Sequence, residues 1–342
     1  MEAIIKEKVT HLLEDKKWIV TKQHGFVSGR SCLTNLLETF EKWTEYLDAG
    51  HGLDVVYLNY RKAFDTVPHK RLLTKVLQAG ISGKILNWIK AFLANRRMKV
   101  TVNGSSSVWA AVTSGIPQGS VLGPLLFLIY VNDLPDWIKT EINMFADDTK
   151  LWNKITGPND CIKLQKDLDS LQNWSDQWLL RFNPEKCKVT HIGHDWKFLY
   201  TIKQDGKSYR LSETVEERDL GVLVQSDLGV TSQCTEAAKK AMKILGILRR
   251  QFKNMDKETF LILYKSFIRP HMEYAIQAWS PHFRKDIECL EKVQHRATKL
   301  VKGFKKYSYE DRLLMLGLTT LEERRLRGDL IETYKILSGK ES

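Results

Sequence analysis

The pattern of apolar and polar positions predicts alternating helices and strands over the first two thirds of the chain. Apolar residues three or four positions apart predict helices over 1–17, 33–47, 70–79, 83–94 and 160–180, and a further apolar helix after the Gly/Pro-rich stretch 114–124. Short apolar runs between turn residues predict strands over 54–60, 186–192 and 220–224, two strands within 142–155, and hairpins that turn at Asn103-Gly104 and Asp205-Gly206.

From about residue 231 onward only helical spacing recurs. The predicted helices cover 237–252, 257–280 with a kink at Pro270, 286–301, 308–316 and 320–337. The order of elements therefore predicts an α+β region over 1–228 and an all-α region over 229–342. The longest apolar run, 121–131, has 11 residues. A membrane span needs about 18, so we expect no membrane association.

The charge is distributed unevenly along the chain, which has 53 Lys and Arg against 41 Asp and Glu. Residues 229–342 hold 23 basic against 14 acidic residues, whereas 1–228 hold 30 against 27. A basic helical region favours a polyanion as partner, although a solvated helical surface would have the same composition. The five cysteines lie far apart, which argues against a disulfide scaffold and fits a reducing compartment.

Two adjacent carboxylates, Asp147 and Asp148, stand between two strand-like segments. Like charges this close disfavour folding by themselves, and a divalent cation removes that penalty. Oxygen ligands suit Mg²⁺, which binds one or two carboxylates together with substrate phosphates. A polar turn is the alternative interpretation of such a pair.

An unusual string of residues runs from Ser114 to Pro124 (Ser-Gly-Ile-Pro-Gln-Gly-Ser-Val-Leu-Gly-Pro). Gly115 and Gly119 permit close backbone approach, Pro117 stiffens the turn, and Gln118 offers an amide to a base or sugar. The start of an ordinary helix would explain one of these glycines but explains the whole string poorly.

Together, Gly115–Pro124 and Phe145–Asp148 resemble the reverse transcriptase of non-LTR, LINE-type retrotransposons, most closely the jockey/CR1-like branch. Further segments resemble the same family, namely 23–31, 62–69, 183–187, 219–222 and 292–297. The resemblance implies an α+β right-hand polymerase fold with an antiparallel-sheet palm. It implies partial fingers over 1–53, a palm with inserted fingers elements over 54–228, and a helical basic thumb over 229–342.

The resemblance also implies RNA-directed DNA polymerisation, with an RNA template, a DNA primer, dNTPs and two Mg²⁺ ions, or Mn²⁺ in their place. Three carboxylates hold these ions in the family, and two of them match Asp147 and Asp148. The third position, at the end of the strand 55–58, is Asn59. An amide carries no negative charge, so we expect this copy to be inactive or severely weakened. Asp65 lies too far along the chain to replace it, and Asp54 stands before the apolar run 55–58 and points elsewhere.

Other roles follow from the resemblance, position by position. Phe64 matches the bulky residue under the incoming sugar, which selects deoxynucleotides; a core Phe is the alternative. Gln118 and Gly119 would frame the incoming nucleotide and the template. Lys186 would lie near the triphosphate and protonate pyrophosphate, although a surface Lys at a strand start is an equal alternative. Arg30 would contact the template, unless it is simply a surface Arg.

Three further expectations concern the whole protein. Nothing before Lys22 matches the family's upstream fingers strand, so the chain looks N-terminally truncated. The rivals to an active polymerase are a non-catalytic relic or co-opted nucleic-acid-binding protein and, less favoured, another palm polymerase such as an intron-encoded maturase. No stable protein partner can be inferred from the sequence, which also does not distinguish a nuclear from a cytoplasmic location.

Overall fold

A computed structural model of the chain describes residues 1–341, with 52% helix and 16% strand, which confirms the predicted α+β class. The chain forms two compact units. The first comprises 1–31 and 42–214, and the second comprises 32–41 together with the chain from 215 on. The predicted fingers, palm and thumb segments, 1–53, 54–228 and 229–342, divide the chain at other residues and remain predictions.

A five-stranded sheet organises the first unit. Its order is β11-β8-β1-β7-β6, and every neighbouring pair is antiparallel except β11 with β8. The strands of this unit are β1 Gly52–Leu58, β2 Arg97–Met98, β3 Thr101–Val102, β4 Ser105–Ser106, β5 Ala110–Ala111, β6 Glu141–Phe145, β7 Asp148–Ile155, β8 Lys188–Ile192, β9 Thr201–Gln204, β10 Lys207–Arg210 and β11 Ser212–Glu213. The central strand β1 is buried at six of its seven positions, as its apolar run predicts.

Helices cover this sheet and complete the core of the first unit. They are α1 Glu2–Asp15, α2 Cys32–Asp48, α3 Ala63–Thr66, α4 His69–Gln78, α5 Gly83–Leu93, α6 Gly123–Val131 and α7 Pro158–Trp178, and α2 continues from the second unit into the first. Every residue of α6 except Pro124 is buried, which fits a helix that is apolar all round. The predicted hairpins at Asn103-Gly104 and Asp205-Gly206 are confirmed: β3 pairs with β4, and β9 with β10.

The second unit has its own apolar core, built mainly from helices. Its elements are β12 Glu216–Asp219, β13 Val222–Gln225, α8 Thr231–Gln251, α9 Lys257–Leu263, α10 Pro270–Glu273, α11 Ile276–Trp279, α12 Arg284–Ala297, α13 Tyr309–Leu316 and α14 Leu321–Leu337. Helix α8 begins six residues before its predicted start because its first turns bury polar residues, among them Gln233, which give no apolar periodicity. None of the helices in the part of the chain that is described is long and apolar enough to cross a membrane.

The predicted single helix 257–280 with a kink at Pro270 is wrong. A π-helical turn, Tyr264–Ile268, follows α9, and the Arg269 N–H donates to the Tyr264 carbonyl at 2.9 Å. This wider turn precedes Pro270, whose ring would otherwise collide with a carbonyl of the preceding turn. The helix ends instead just beyond Glu273, and Ala275 adopts a left-handed conformation with φ of 49°.

Candidate active site

The two adjacent aspartates lie at the tip of the hairpin formed by β6 and β7. Phe145 pairs with Asp148, so Ala146 and Asp147 form a two-residue turn. Ala146 has a φ of 56°, a left-handed conformation that costs a non-glycine residue about 1–2 kcal/mol. Asp147 is half-buried and Asp148 is exposed. The turn therefore presents two carboxylates from a strained backbone.

Burial raises the pKa of Asp147 above its ordinary value, and a main-chain hydrogen bond offsets this in part. The physical cause is the loss of water around the charged form. A bound cation would reverse this penalty, because it favours the charged carboxylate directly.

The strand register brings Asn59 to the same edge of the sheet. Strand β1 is antiparallel to β7, with Leu58 opposite Thr149. The end of β1, which Asn59 follows directly, therefore lies at the same edge of the sheet as the first residues of β7. That Asn59, Asp147 and Asp148 act together as one metal site remains a prediction.

A turn that carries Lys186 lies against Asn59. The Asn183 N–H donates to the Asn59 carbonyl at 2.7 Å. On the other side of the same residue, the Asn59 N–H contacts the Cys187 sulfur at 3.3 Å. Burial raises the pKa of Cys187 to about 11, so this sulfur is a neutral thiol at neutral pH. Lys186 is exposed within this turn, which is compatible with both interpretations of its role.

The segment around Gln23 supports the aspartate turn from its other side, which the sequence analysis did not anticipate. The Met144 N–H donates to the Lys22 carbonyl and the His24 N–H donates to the Met144 carbonyl, each at 2.9 Å. The buried Gln23 side-chain oxygen accepts from the N–H groups of both Gly25 and Ala146, each at 2.8 Å. The amide thereby holds the strained residue of the turn. The resemblance of residues 23–31 to a fingers motif marked this segment but not its partner.

The Gly-rich loop packs on the short helix α3 through its main chain. The Ile116 N–H donates to the Phe64 carbonyl at 2.7 Å, and the Gly115 N–H donates to the Val67 carbonyl at 2.8 Å. A Cβ atom at Gly115 would lie 2.7 Å from the Asp65 carbonyl oxygen, and the φ of this glycine is 92°. Only glycine fits such a position, which explains this residue of the string.

The loop also fixes the side chains expected to meet a nucleotide. The half-buried Phe64 ring stacks on Phe127 at a centroid distance of 4.4 Å, so it is both a core residue and partly accessible. The Gln118 amide donates to the Asp65 carboxylate at 2.8 Å, and Gly119 follows with open space around its Cα. Asp65 therefore orients Gln118.

Arg30 lies near the Gln23 segment. Its guanidinium donates to the carbonyls of Val20, Thr21 and Gln23 at 3.2, 2.8 and 2.7 Å. These three hydrogen bonds hold the loop 20–23 in place, a structural role that the sequence did not predict. A contact between Arg30 and the template remains a prediction.

A second polar cluster surrounds Asp54, which lies inside β1, five residues before Asn59. The carboxylate has no exposed surface, and it accepts from His191 Nδ1, from His194 Nε2 at 2.9 Å and from the Tyr200 hydroxyl at 2.6 Å. The ligand atoms of Asp54, His191 and His194 are close enough to share a metal ion. However, the Trp196 N–H donates to His194 Nδ1 at 3.1 Å, which places the ring proton on Nε2. The cluster is therefore a hydrogen-bonded anchor of the sheet rather than a metal site.

Replacing Asp54 with asparagine is expected to lower the free energy of unfolding of the first unit by about 3 kcal/mol, since buried donors lose their acceptor. Urea unfolding followed by tryptophan fluorescence measures this change. Asp195→Asn, at an exposed position in the same region, is the matched control and should have little effect. An unchanged midpoint for Asp54→Asn, or a midpoint of the natural chain that rises with added Zn²⁺, would contradict the anchor role.

Comparison with known proteins identifies the family to which this arrangement belongs. The family described as reverse transcriptase (RNA-dependent DNA polymerase) matches residues 1–249, and the chain is a member of it. The chain is 24% identical over 336 residues to the probable RNA-directed DNA polymerase from transposon BS of Drosophila melanogaster, with 94% of this chain and 37% of that protein covered. It is 27% identical over 318 residues to the RNA-directed DNA polymerase from mobile element jockey of Drosophila funebris, with 88% and 33% covered.

These relatives confirm the predicted resemblance to jockey-like retrotransposon reverse transcriptases. The chain spans about a third of their length. Among solved structures, apo telomerase from Candida tropicalis aligns with 92% of this chain and 54% of its own, with a TM-score of 0.50 and 11% identity. At that identity the likeness concerns the fold alone. Reverse transcriptases generally use divalent metal ions.

Proposed function

We propose that the chain is an RNA-directed DNA polymerase domain whose catalysis is weakened by Asn59. It would extend a DNA primer with dNTPs along an RNA template. The observation that supports the proposal is the β1–β7 register, which brings the end of β1 to the edge of the sheet that carries the Asp147–Asp148 turn. The family resemblance implies three carboxylates around the two metal ions of nucleotidyl transfer, and Asn59 stands without charge at one of those positions.

The donor set at this edge of the sheet fits a hard cation. The side chains of Asp147, Asp148 and Asn59 offer oxygen atoms, which Mg²⁺ prefers and Mn²⁺ accepts. We propose that the two carboxylates hold Mg²⁺, which when bound supplies charge neutralisation at the phosphates and at the primer hydroxyl. Asn59 would offer an amide oxygen to the same cation without adding charge.

The remaining residues bind and position the substrates. Phe64, fixed by its stacking on Phe127, would lie under the sugar and exclude a 2′-hydroxyl. Gln118 is held by Asp65 and would contact the nucleotide or template, while Gly119 leaves room for it. Lys186 is exposed and would donate a proton to the pyrophosphate leaving group. Arg30 would contact the template from its place against the loop 20–23, to which its guanidinium donates.

A second candidate function is nucleic-acid binding without catalysis. Asn59 favours it, because the loss of one carboxylate weakens the cation site but leaves the rest of the fold intact. Both candidates share the same surfaces, so the cation site is the feature that separates them. A chain that binds RNA–DNA hybrids but takes up no divalent cation at the turn would be a binding protein.

Replacing both Asp147 and Asp148 with asparagine is expected to abolish specific Mn²⁺ uptake. Uptake is measured by EPR, because Mn²⁺ that binds to the protein is lost from the signal of the free ion. Primer extension on an RNA template, measured in the more active Asn59→Asp background, should fall at least about a hundredfold. Several kcal/mol of charge stabilisation are lost, and each 1.36 kcal/mol is a factor of ten.

The control for this experiment is Asp195→Asn, which removes an exposed carboxylate elsewhere in the first unit. It should bind Mn²⁺ and extend primers as its parent does. Equal Mn²⁺ uptake by the natural chain and the Asp147/Asp148 variant would overturn the assignment of the cation site. Binding of an RNA–DNA hybrid with neither specific Mn²⁺ uptake nor extension, in the natural chain and in Asn59→Asp alike, would favour the binding function.

A further inference from the structure

The second unit contains a groove of about 870 Å³ whose rim is strongly basic. One wall is the last part of α8, and the other is the segment 296–306, which begins at the end of α12. The rim carries Arg249, Lys253, Arg296, Lys299, Lys302 and the pair Lys305-Lys306. Among the described residues that line it, none is acidic. The two walls are some fifty residues apart in sequence, so this concentration of charge is created by the fold.

The seven cations of the rim lack acidic partners in the part of the chain that the structure describes. Among residues 1–341, none of the seven forms an ion pair. Burial is the main reason why the pKa of the neighbouring His295 lies below its ordinary value, and the charges of Arg312 and Lys299 lower it further. Seven like charges around one groove repel each other, and a polyanion that enters it would relieve this repulsion.

The floor of the groove is apolar rather than charged. It is formed by Met242, Leu245, Leu300 and Val301, and Phe252 stands at its edge with 41% of its surface exposed. Gly246 keeps the floor open, since a Cβ atom added there would meet nothing within 4 Å. An apolar floor beneath a cationic rim suits a ligand with flat apolar groups and regularly spaced negative charges.

We propose that this groove binds single-stranded nucleic acid, with one or two bases against the apolar floor and the adjoining phosphates on the basic rim. Its volume lies in the range of about 300–1,000 Å³ typical of pockets that enclose small ligands, which matches one or two nucleotides. A duplex keeps its bases stacked inside and would touch only the rim. Positive grooves with an aromatic platform are the usual means of binding single strands. The site goes beyond polymerisation, because none of its residues belongs to the aspartate turn.

The first test reverses charge on the rim of the full chain. Binding of a fluorescent ten-nucleotide oligo(dT) is measured by anisotropy in EDTA and without dNTPs, so that neither a divalent cation nor a nucleotide contributes. Lys253→Glu/Lys302→Glu should weaken binding at least about tenfold and reduce the salt dependence, because each phosphate contact contributes roughly −0.7 to the slope of log K against log[salt] for single strands. Lys265→Glu/Lys285→Glu changes the net charge equally at exposed positions of the second unit outside the groove, and should bind nearly as the natural chain does.

The second test separates insertion of a base from attraction to a charged surface. Gly246→Leu adds a side chain to the groove floor without altering charge, and the open space around Gly246 lets the helix accept it. It should weaken oligo(dT) binding severalfold but leave binding of an abasic ten-mer unchanged. The natural chain should prefer oligo(dT) to the abasic strand, and Phe252→Ala should reduce that preference.

Three outcomes would overturn the proposal. Equal affinity for oligo(dT) and the abasic strand would mean that no base enters the groove. If Lys253→Glu/Lys302→Glu and its matched control lose oligo(dT) affinity equally, the net charge of the protein, and not the groove, determines binding. Competition by polyglutamate at the same charge concentration as oligo(dT) would identify an acidic protein segment as the ligand. The Asp147→Asn/Asp148→Asn variant should bind oligo(dT) normally, so a failed polymerase proposal and a failed groove proposal give different results.

Discussion

Replacing Asn59 with aspartate is expected to raise primer extension on an RNA template by about tenfold to a hundredfold. Losing even a group that only supports a metal ligand costs about 10–100-fold in affinity or activity, and we propose that residue 59 faces the metal ions directly. The substitution introduces a negative charge at the end of β1, at the edge of the sheet where β7 begins, without changing the size of the side chain. Its main chain is already held by Asn183 and Cys187, so the strand end should keep its position.

The measurement is extension of a labelled DNA primer at several Mg²⁺ and Mn²⁺ concentrations. The restored charge should lower the cation concentration needed for half-maximal rate as well as raise the maximal rate. Asn103→Asp, at the exposed tip of a hairpin, makes the same chemical change away from the turn and should alter neither quantity. Robust and equal extension by the natural chain and Asn59→Asp would refute the role given to Asn59. If neither extends a primer while Mn²⁺ still binds, the impairment lies elsewhere in the chain.

Replacing Gly25 with alanine in the Asn59→Asp background is expected to lower primer extension by about a hundredfold. A Cβ atom at Gly25 would collide with the Ala146 nitrogen and lie 2.9 Å from the Phe145 carbonyl carbon. Neither group can move without shifting the turn that carries Asp147. A displacement of about 1 Å in a catalytic group costs on this order, because transfer depends on the alignment of the reacting atoms.

Gly157→Ala is the matched control, since a Cβ atom there meets nothing within 4 Å and the backbone is extended. It should retain extension and the unfolding midpoint of its parent. Circular dichroism and urea unfolding distinguish a displaced turn from an unfolded chain. Full activity in a folded Gly25→Ala variant would show that the Gln23 segment does not position the aspartates.

The secondary structure followed closely from local spacing, with instructive exceptions. Strand β12 consists of charged residues alone and gives no apolar signal, and it exists because β13 pairs with it. The interval 257–280 had helical spacing throughout, yet it breaks after Glu273, where one residue turns left-handed. The spacing of apolar residues predicts which face of a helix is buried, but it does not predict where the backbone must bend so that this face can be buried.

The sequence by itself determined the chemistry of the site, because Asp147-Asp148, the loop around Gly115 and the amide at position 59 are local strings whose residue types limit what they can bind. Only the tertiary structure decided what supports them. The contact between Gly25 and Ala146, and the assembly of a basic groove from α8 and 296–306, join residues far apart along the chain. Such meetings depend on strand register and helix packing, which many distant contacts set together and no short segment encodes.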